Sequence, residues 1–461
     1  MRRLSPQIIY WSSCSVVVCW GMMAPHGAAM RAIPHLQGLD VSVVGGGIAG
    51  LACAVSLKTI TGIQAKVYEA DGGYRNSGYG LVLCPNGLRA LHHMDVSLHD
   101  EVIRSGSAIG ERVYSTDEGT HIEYCREREK FGHPMTCLRS LSLYNALRRA
   151  AIRLGCEIVP GAVCKSITPA LSTAGDVDRQ ATLVLSVDTG GDARMTEVVQ
   201  TDLIIGADGL NSLVRSYHGD TDEPRDAECL WFYGMVSHAT CPILDRTRVH
   251  AFLLHEPTKT ALLMPVGDHT YWTAALTGPD REEAMNIGQD FEATKRFLQE
   301  KLDEDQMLAA FVESTPANQI RRRSIKDRPA MNSFVSGVTT GDFHSVLVGD
   351  AAHPSRPSVG QGANMALEDA VQFALLLRET DSVKEALRQY DAARILRCAI
   401  LQGDPEFVER RRERQSGSSW LGWGKDRLES RCRSANKEIG DPEFTYNWHP
   451  TGLRHYPWRS R

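Results

Sequence analysis

Apolar and polar positions follow two different rhythms along this chain. From Leu39 a continuous apolar run, LDVSVV, leads into the glycine turn GGGIAG, the helical stretch LACAVSLK and a second run, AKVYE. Uninterrupted apolar strands around a helix predict a βαβ unit whose parallel strands are buried on both faces. Leu143, Leu147 and Ala151 recur at helical spacing and predict a helix from Ser142 to Leu154. Segments around Glu157–Ile167, Ala181–Val187 and Met195–Val199 alternate with period two, and DTGGDA offers a turn between the last pair. They predict a small antiparallel sheet.

The strand DLIIGADG then returns the chain to the parallel core. Between Glu223 and Thr277 the runs CLWFYGMV, HAFLLH, ALLMPV and YWTAAL predict a second sheet, and a charged helical region follows from Glu282 to Phe311. HSVLVGDAAH is a further strand of the first unit, backed by a long helix from Ala363 to Arg378. Past Leu401 the chain turns polar and basic, and the run ERRRER reads as a solvated helix face.

Composition adds mainly exclusions. With 461 residues, 42% hydrophobic and 23% charged, the chain is that of a large folded protein. A formal charge of -5 argues against nucleic acid as a partner. The 12 cysteines are scattered without a CxxC pair, so no metal site and no disulfide framework is expected, only reduced structural thiols.

The candidate chemistry starts at Gly45, Gly47 and Gly50, a GxGxxG placed after a strand and at the start of a helix. The first glycine permits the tight turn, the second lets backbone approach a pyrophosphate, and the third allows close helix–strand contact. Glu69 ends the next strand, where a carboxylate accepts from ribose hydroxyls. This much specifies a dinucleotide without separating NAD from FAD. Two later segments separate them: GADGLNSLVR from Gly206 to Arg215, and VGDAAHPSRPSVGQGANMALEDA from Val348 to Ala370.

With these three motifs in order, the stretch from Leu39 to Arg397 resembles the class A, salicylate-hydroxylase-like FAD-dependent aromatic-ring monooxygenases. Arg75, Gly78, Gly80, Pro85 and Asn86 fall at the spacing of that family's flavin-side loop, and Arg139 is similar to its cofactor-holding arginine. The resemblance implies an α/β fold: a Rossmann-like FAD domain built from residues 39–115, 116–222 and 326–400. It also implies an inserted antiparallel substrate domain at 223–325 and a C-terminal helical tail at 401–461, after an extension at 1–38.

Asp350 is placed to bind ribityl hydroxyls or to cap a helix, and Gly360, Gln361, Gly362 and Ala363 open a helix whose positive end would face the flavin ring. By the resemblance, Asp208 contributes to FAD and NADPH binding and Arg215 supports its loop; a turn aspartate and a surface ion pair are the plain alternatives. Cys84 reads as a buried structural thiol.

The implied reaction is reduction of bound FAD by transient NAD(P)H, then oxygen transfer from a flavin C4a-hydroperoxide to a phenolic small molecule. No second GxGxxG and no WxWxIP-like segment occurs in the sequence. Tyr233 and His238 on the inserted sheet are the candidate proton relays, and Arg356 stands where the family often has an apolar residue, raising an anionic substrate as one option. The other readings are alkene epoxidation in secondary metabolism, a flavin-binding homologue without activity, and a NAD-dependent dehydrogenase.

Arg2 and Arg3 before the apolar stretch at residues 8–24 fit a signal peptide, an anchor, or a start at Met22, Met23 or Met30. Translocation would carry the enzyme away from reduced nicotinamide, so a cytoplasmic location is expected, with membrane anchoring or secretion as the alternative.

Overall fold

The computed structural model describes residues 33–72, 78–116, 119–169, 180–188, 194–241, 245–253, 258–337, 343–357, 360–404, 407–408 and 442–450. The apolar segment 8–24, Arg75, the turn after Asp188 and ERRRER lie outside them. No helix among the described residues is long and apolar enough to cross a membrane.

LDVSVV becomes β1 (Val41–Val44), buried at every position, as a continuous apolar run should be. It pairs in parallel with β2 (Lys66–Glu69) and β12 (Leu203–Gly206). Beyond them lie β8 (Glu157–Pro160) on one side, β19 (His344–Leu347) and the short antiparallel β18 (Val335–Ser336) on the other, giving six strands in the order β18-β19-β12-β1-β2-β8. Helices α1 (Ile48–Ser56), α5 (Ser140–Arg153) and α10 (Gly362–Glu379) pack together over this sheet, and α11 (Val383–Gln402) lies behind α10.

The alternating stretch at 157–167 is not one strand. Gly161, at φ +71°, breaks it: β8 joins the parallel sheet, while β9 (Ala162–Pro169) pairs with β10 (Ala181–Asp188) and β10 with β11 (Arg194–Thr201) in a separate antiparallel sheet. A period-two pattern is the same on both sides of the glycine, so it cannot mark the change of sheet.

A third sheet, β3 (Gly80–Leu83), β7 (Met135–Arg139) and β4 (Ser107–Ile109), connects the parallel core to a seven-stranded one. The latter runs β17 (Arg321–Asp327), β13 (Arg225–Ser237), β16 (His269–Leu276), β15 (Lys259–Val266), β14 (Arg248–Leu253), β5 (Glu111–Thr116) and β6 (Gly119–Tyr124). The expected divisions at 115/116 and 325/326 therefore fall inside β5 and β17. The β5–β6 hairpin is polar, with β6 exposed along its length, and no local apolar rhythm ties it to a sheet formed a hundred residues later.

Strand alternation gives the seven-stranded sheet two unlike faces. Leu230, Phe232, Val236, Trp272 and Leu276 pack under α7 (Gly278–Asn286), α8 (Phe291–Lys301) and α9 (Gln306–Ser314) through Phe297, Leu298, Phe311 and Val312. Tyr233, Met235, Tyr271 and Met264 point the other way and meet Ile109, Cys137 and Val82 of the third sheet.

The helices over the parallel sheet are joined by buried charge. Asp369 of α10 accepts from Arg394 Nε at 2.7 Å, from His353 Nε2 at 2.6 Å and from the Gly349 N–H at 2.9 Å. Its neighbour Glu368 accepts from Arg394 Nη1 at 2.5 Å, from Arg397 at 2.8 and 2.6 Å and from Asn86 Nδ2 at 2.7 Å. Burial would raise the Asp369 carboxyl, but His353 and Arg394 outweigh it and hold the group at about 2. Burial would likewise lower the His353 imidazole, and Asp369 overrides it, keeping the ring protonated well above its ordinary range.

That sign has a consequence. The folded chain retains the His353 proton that the unfolded chain releases from about pH 6.5, so this stabilisation is complete below that pH and is lost as pH rises toward the folded value. Comparison of urea unfolding for the wild type and His353→Gln should show the wild-type advantage shrinking by up to ~1.4 kcal/mol per pH unit above about pH 6.5. A difference constant from pH 6 to 9 means the imidazole is neutral in the fold.

Candidate active site

The three motif glycines stand in three different environments. A Cβ on Gly45, at φ +105°, would lie 2.3 Å from Ala207 O, and one on Gly50 would lie 1.9 Å from Gly45 O. Both positions are closed to any side chain. A Cβ on Gly47 meets nothing within 4 Å, and Gly47 starts α1 without a side-chain cap, so the helix offers its first N–H groups to open space. Glu69 braces this loop: Oε2 accepts from the Gly46 N–H at 2.7 Å and Oε1 from that of Asp71 at 2.9 Å.

The second motif is an internal strut. Asp208 accepts from the Leu213 N–H at 2.7 Å, the Val214 N–H at 3.2 Å and Ser212 Oγ, so its side chain holds the start of α6 (Leu213–Tyr217). Arg215 is fully buried, which rules out the surface ion pair. It pairs with Asp220 and donates to the carbonyls of Ala351 at 3.2 Å and Ala352 at 2.9 Å, clamping the second motif to the third.

In the third motif the turn Gly349–Ala351 rests on the start of α1, since a Cβ on Gly349 would lie 2.7 Å from that of Ala49. Asp350 is open to solvent yet surrounded by protein, as in the wall of a cleft. Burial raises its carboxyl while His353 and Arg323 pull it down. Asp350 does not cap α10; the N-cap is Gln361, whose side chain turns inward to accept from Asn86 Nδ2 at 3.0 Å and donate to Cys84 Sγ at 3.4 Å. Gly360, at φ +65°, and Gly362 and Ala363 leave the end of α10 without a side-chain cap, and a Cβ on Gly362 would lie 3.9 Å from Asp350 Oδ1. Burial pushes the Cys84 thiol up to about 12, which fits a structural thiol.

Asn364 went unnoticed in the sequence. Its Oδ1 accepts from the Cys84 N–H at 2.9 Å and its Nδ2 donates to Val82 O at 3.0 Å, pinning β3 to the start of α10. Arg139 ends β7 opposite Gly80, and its buried Nε has no partner among the described residues. A buried guanidinium nitrogen left alone is the signature of an absent acceptor. Beside it, a Cβ on Gly80 would lie 2.6 Å from the Tyr271 ring.

Tyr233 shares the face of Tyr271, with ring centroids 5.8 Å apart. His238 does not. It lies in the turn just past β13, buried, and its Nε2 lies 3.0 Å from Oγ1 of Thr270, which shares the helix-side face of β16 with Trp272. A proton relay through His238 is therefore withdrawn. Arg356 is paired with Asp327 at 3.0 Å, and Asp327 also takes Arg225. The cation the sequence reading missed is Arg323, opposite Trp231 in register and exposed, with no hydrogen bond or ion pair among the described residues. Its charge is felt at both Asp350 and Tyr271.

His353, Asp369 and Cys398 bring ligand atoms within 4.8 Å of one another, but Asp369 is already saturated by Arg394, His353 and the Gly349 N–H. The set is part of the ion network, not a metal centre.

Glycine loop, uncapped helix starts, orphaned arginine and facing sheet together define a flavin-dependent oxidoreductase, and these residues fit FAD. The chain belongs to the FAD binding domain family, whose model matches residues 38–400. It is 28% identical over 369 residues to aurachin C monooxygenase/isomerase of Stigmatella aurantiaca, covering 78% of this chain and 86% of that one. To a 3-amino-4-hydroxybenzoate 2-monooxygenase of Streptomyces platensis it is 27% identical, over 90% of this chain and 98% of that one. Klebsiella pneumoniae HpxO, solved with FAD and uric acid, shares the fold at a TM-score of 0.65 and 22% identity, covering 87% and 98% of the two chains. The protein is an FAD-dependent monooxygenase.

Gly47 and Gly50 separate ligand space from packing. Gly47→Ala should leave the stability of the flavin-free protein within ~0.5 kcal/mol yet lower FAD retention at least tenfold. Gly50→Ala should destabilise the fold itself, by about 1–3 kcal/mol. Equal flavin content in Gly47→Ala and wild type removes the cradle from that position.

Proposed function

We propose that this enzyme uses NAD(P)H and FAD to hydroxylate an aromatic, phenolic small molecule. The observation that carries the reading is the face of the seven-stranded sheet where Tyr233 and Tyr271 stand beside Arg323, which has no ion-pair partner among the described residues. Aromatic walls suit a planar ring, and a cation suits its phenolate oxygen. The likeness to a monooxygenase that acts on 3-amino-4-hydroxybenzoate supports the same substrate class.

In this reading the N-terminus of α1 and Gly47 hold the pyrophosphate, Glu69 the adenosine ribose, and Asp350 the ribityl chain, with Arg139 beside the cofactor. The uncapped start of α10, at Gly360 to Ala363, would favour negative charge on a flavin ring held beside it. Bound FAD supplies the two-electron chemistry and the activation of dioxygen. The chain's own residues orient the ring and manage its proton. Burial pushes the Tyr271 phenol far up, so it remains a neutral hydrogen-bond donor at physiological pH. Tyr233 takes the substrate's phenolic proton toward solvent, while Met235, Met264 and Val82 keep water from the reacting atoms.

Epoxidation is the second reading, favoured by 26% identity to the chloroplastic zeaxanthin epoxidase of Oryza sativa subsp. japonica, of which this chain covers 54%.

FAD-loaded enzyme offered NAD(P)H and a panel of phenols and alkenes should oxidise the nicotinamide faster with an acidic phenol, giving a product heavier by one oxygen. Oxygen gain in alkenes alone favours epoxidation. Arg323→Gln should raise KM for that phenol about tenfold, the size of one ~1.4 kcal/mol contact, with kcat within threefold. An unchanged KM removes Arg323 from the substrate site.

A further inference from the structure

Away from the flavin cradle, five histidines gather where two helices meet. His92 and His93 end α2 (Pro85–Met94), His99 lies in the first turns of α3 (Val96–Ser105), and His133 follows the short α4 (Glu127–Phe131). His449 comes from the C-terminal segment and packs on His93, with centroids 5.6 Å apart. Nothing in the oxygenase chemistry uses them.

Three of these rings surround one point. The His92–His99 and His99–His133 centroids are each 5.3 Å apart, and the His92–His133 centroids 6.1 Å. Three imidazoles bound to a tetrahedral zinc ion through ~2.0–2.1 Å bonds have their ring centres about 5 Å apart, so the triangle already has nearly the right size. In the present rotamers the nitrogens do not converge, because His353, Asp369 and Cys398 form the one set of ligand atoms within 4.8 Å among the described residues. Rotation about χ2, a soft torsion in histidine, brings nitrogens inward while barely moving the ring centres.

A second observation is independent of that spacing. His99 Nδ1 is bonded to Asp100 Oδ1 at 3.0 Å, and His99 Nε2 is buried with no partner among the described residues. A carboxylate on one ring nitrogen and a free second nitrogen is how metal-binding histidines are held, since the acid fixes the tautomer and makes the ligand more basic. His92 and His133 make no side-chain hydrogen bond among the described residues.

We propose that His92, His99 and His133 bind one divalent transition-metal ion of the zinc class, with Asp100 orienting His99 and water completing the coordination. Imidazole donors select Zn2+, Co2+, Ni2+ or Cu2+ over Mg2+ and Ca2+. The nearby guanidinium of Arg89 is turned onto the carbonyls of Phe131, Tyr446 and Trp448. The ion would join α2 and α3 to the segment entering β7, the strand that ends at Arg139.

The test uses the untagged, FAD-loaded full chain, stripped with EDTA and titrated with Zn2+ by calorimetry, then with Co2+ by visible absorption. One equivalent of Zn2+ should bind at micromolar Kd or tighter, and Co2+ should give the d–d bands of a tetrahedral site. His99→Ala and His133→Ala should each weaken binding a hundredfold, Asp100→Asn about ten- to a hundredfold, and His449→Ala less than twofold, all with wild-type flavin content. Absence of saturable binding, or binding that survives His99→Ala and His133→Ala, overturns the proposal.

Discussion

Two adjacent carboxylates, Glu368 and Asp369, sit in the interior of α10 with no access to water, and much of the molecule is arranged to make that tolerable. An ion buried without partners costs several kcal/mol, so every oxygen must be met. Arg394 and Arg397, one turn apart on α11, meet them from behind, while His353 and the Gly349 N–H meet them from the third motif and Asn86 from α2. The same bonds fix the start of α10 and the turn carrying Asp350. The geometry of the third motif and the packing of the helices are thus one constraint. Arg397 reaches further and holds the carbonyls of Phe444 and Thr445, while Arg89, outside this network, holds those of Tyr446 and Trp448, so the short helix α12 (Pro442–Tyr446) is seated by two arginines.

How much of this could be read in the sequence follows from the range of each interaction. The βαβ unit, the glycine turn and the long helix α10 are local, and their periods marked them correctly. The ion network joins residues from Asn86 to Arg397, and no local pattern pairs residues that far apart. Nothing near Glu368 and Asp369 in the chain names Arg394 and Arg397 as their partners; α11 has to be in place first. The strand break at Gly161 and the capture of β5 and β6 by a later sheet were hidden for the same reason, because strand partners come from elsewhere in the chain.

The site shows both outcomes. Gly45 and Gly50 are closed to any side chain, Gly47 faces open space and Arg139 keeps a buried Nε without a partner among the described residues, whereas the side chains of Asp208 and Gln361 are spent on the protein itself. His238 is the instructive failure. It falls in the turn after β13, where strand spacing no longer governs direction, and the contact with Thr270 is what takes it away from Tyr233. Arg323, within the run RRRSIKD, gave no local signal; only the register against Trp231 brings it to the face of Tyr233. Motifs locate the cofactor because its phosphates and ring demand the same backbone features everywhere. The face proposed for the substrate carries no comparable motif.

Oxygen transfer through this cleft is tested most directly by turnover under isotopically labelled dioxygen, with NAD(P)H and the best phenol found. One labelled atom in each product molecule, with the other appearing in water and one nicotinamide oxidised per product, is the expected result. Product without label, or nicotinamide oxidation recovered entirely as hydrogen peroxide with every compound offered, would contradict it.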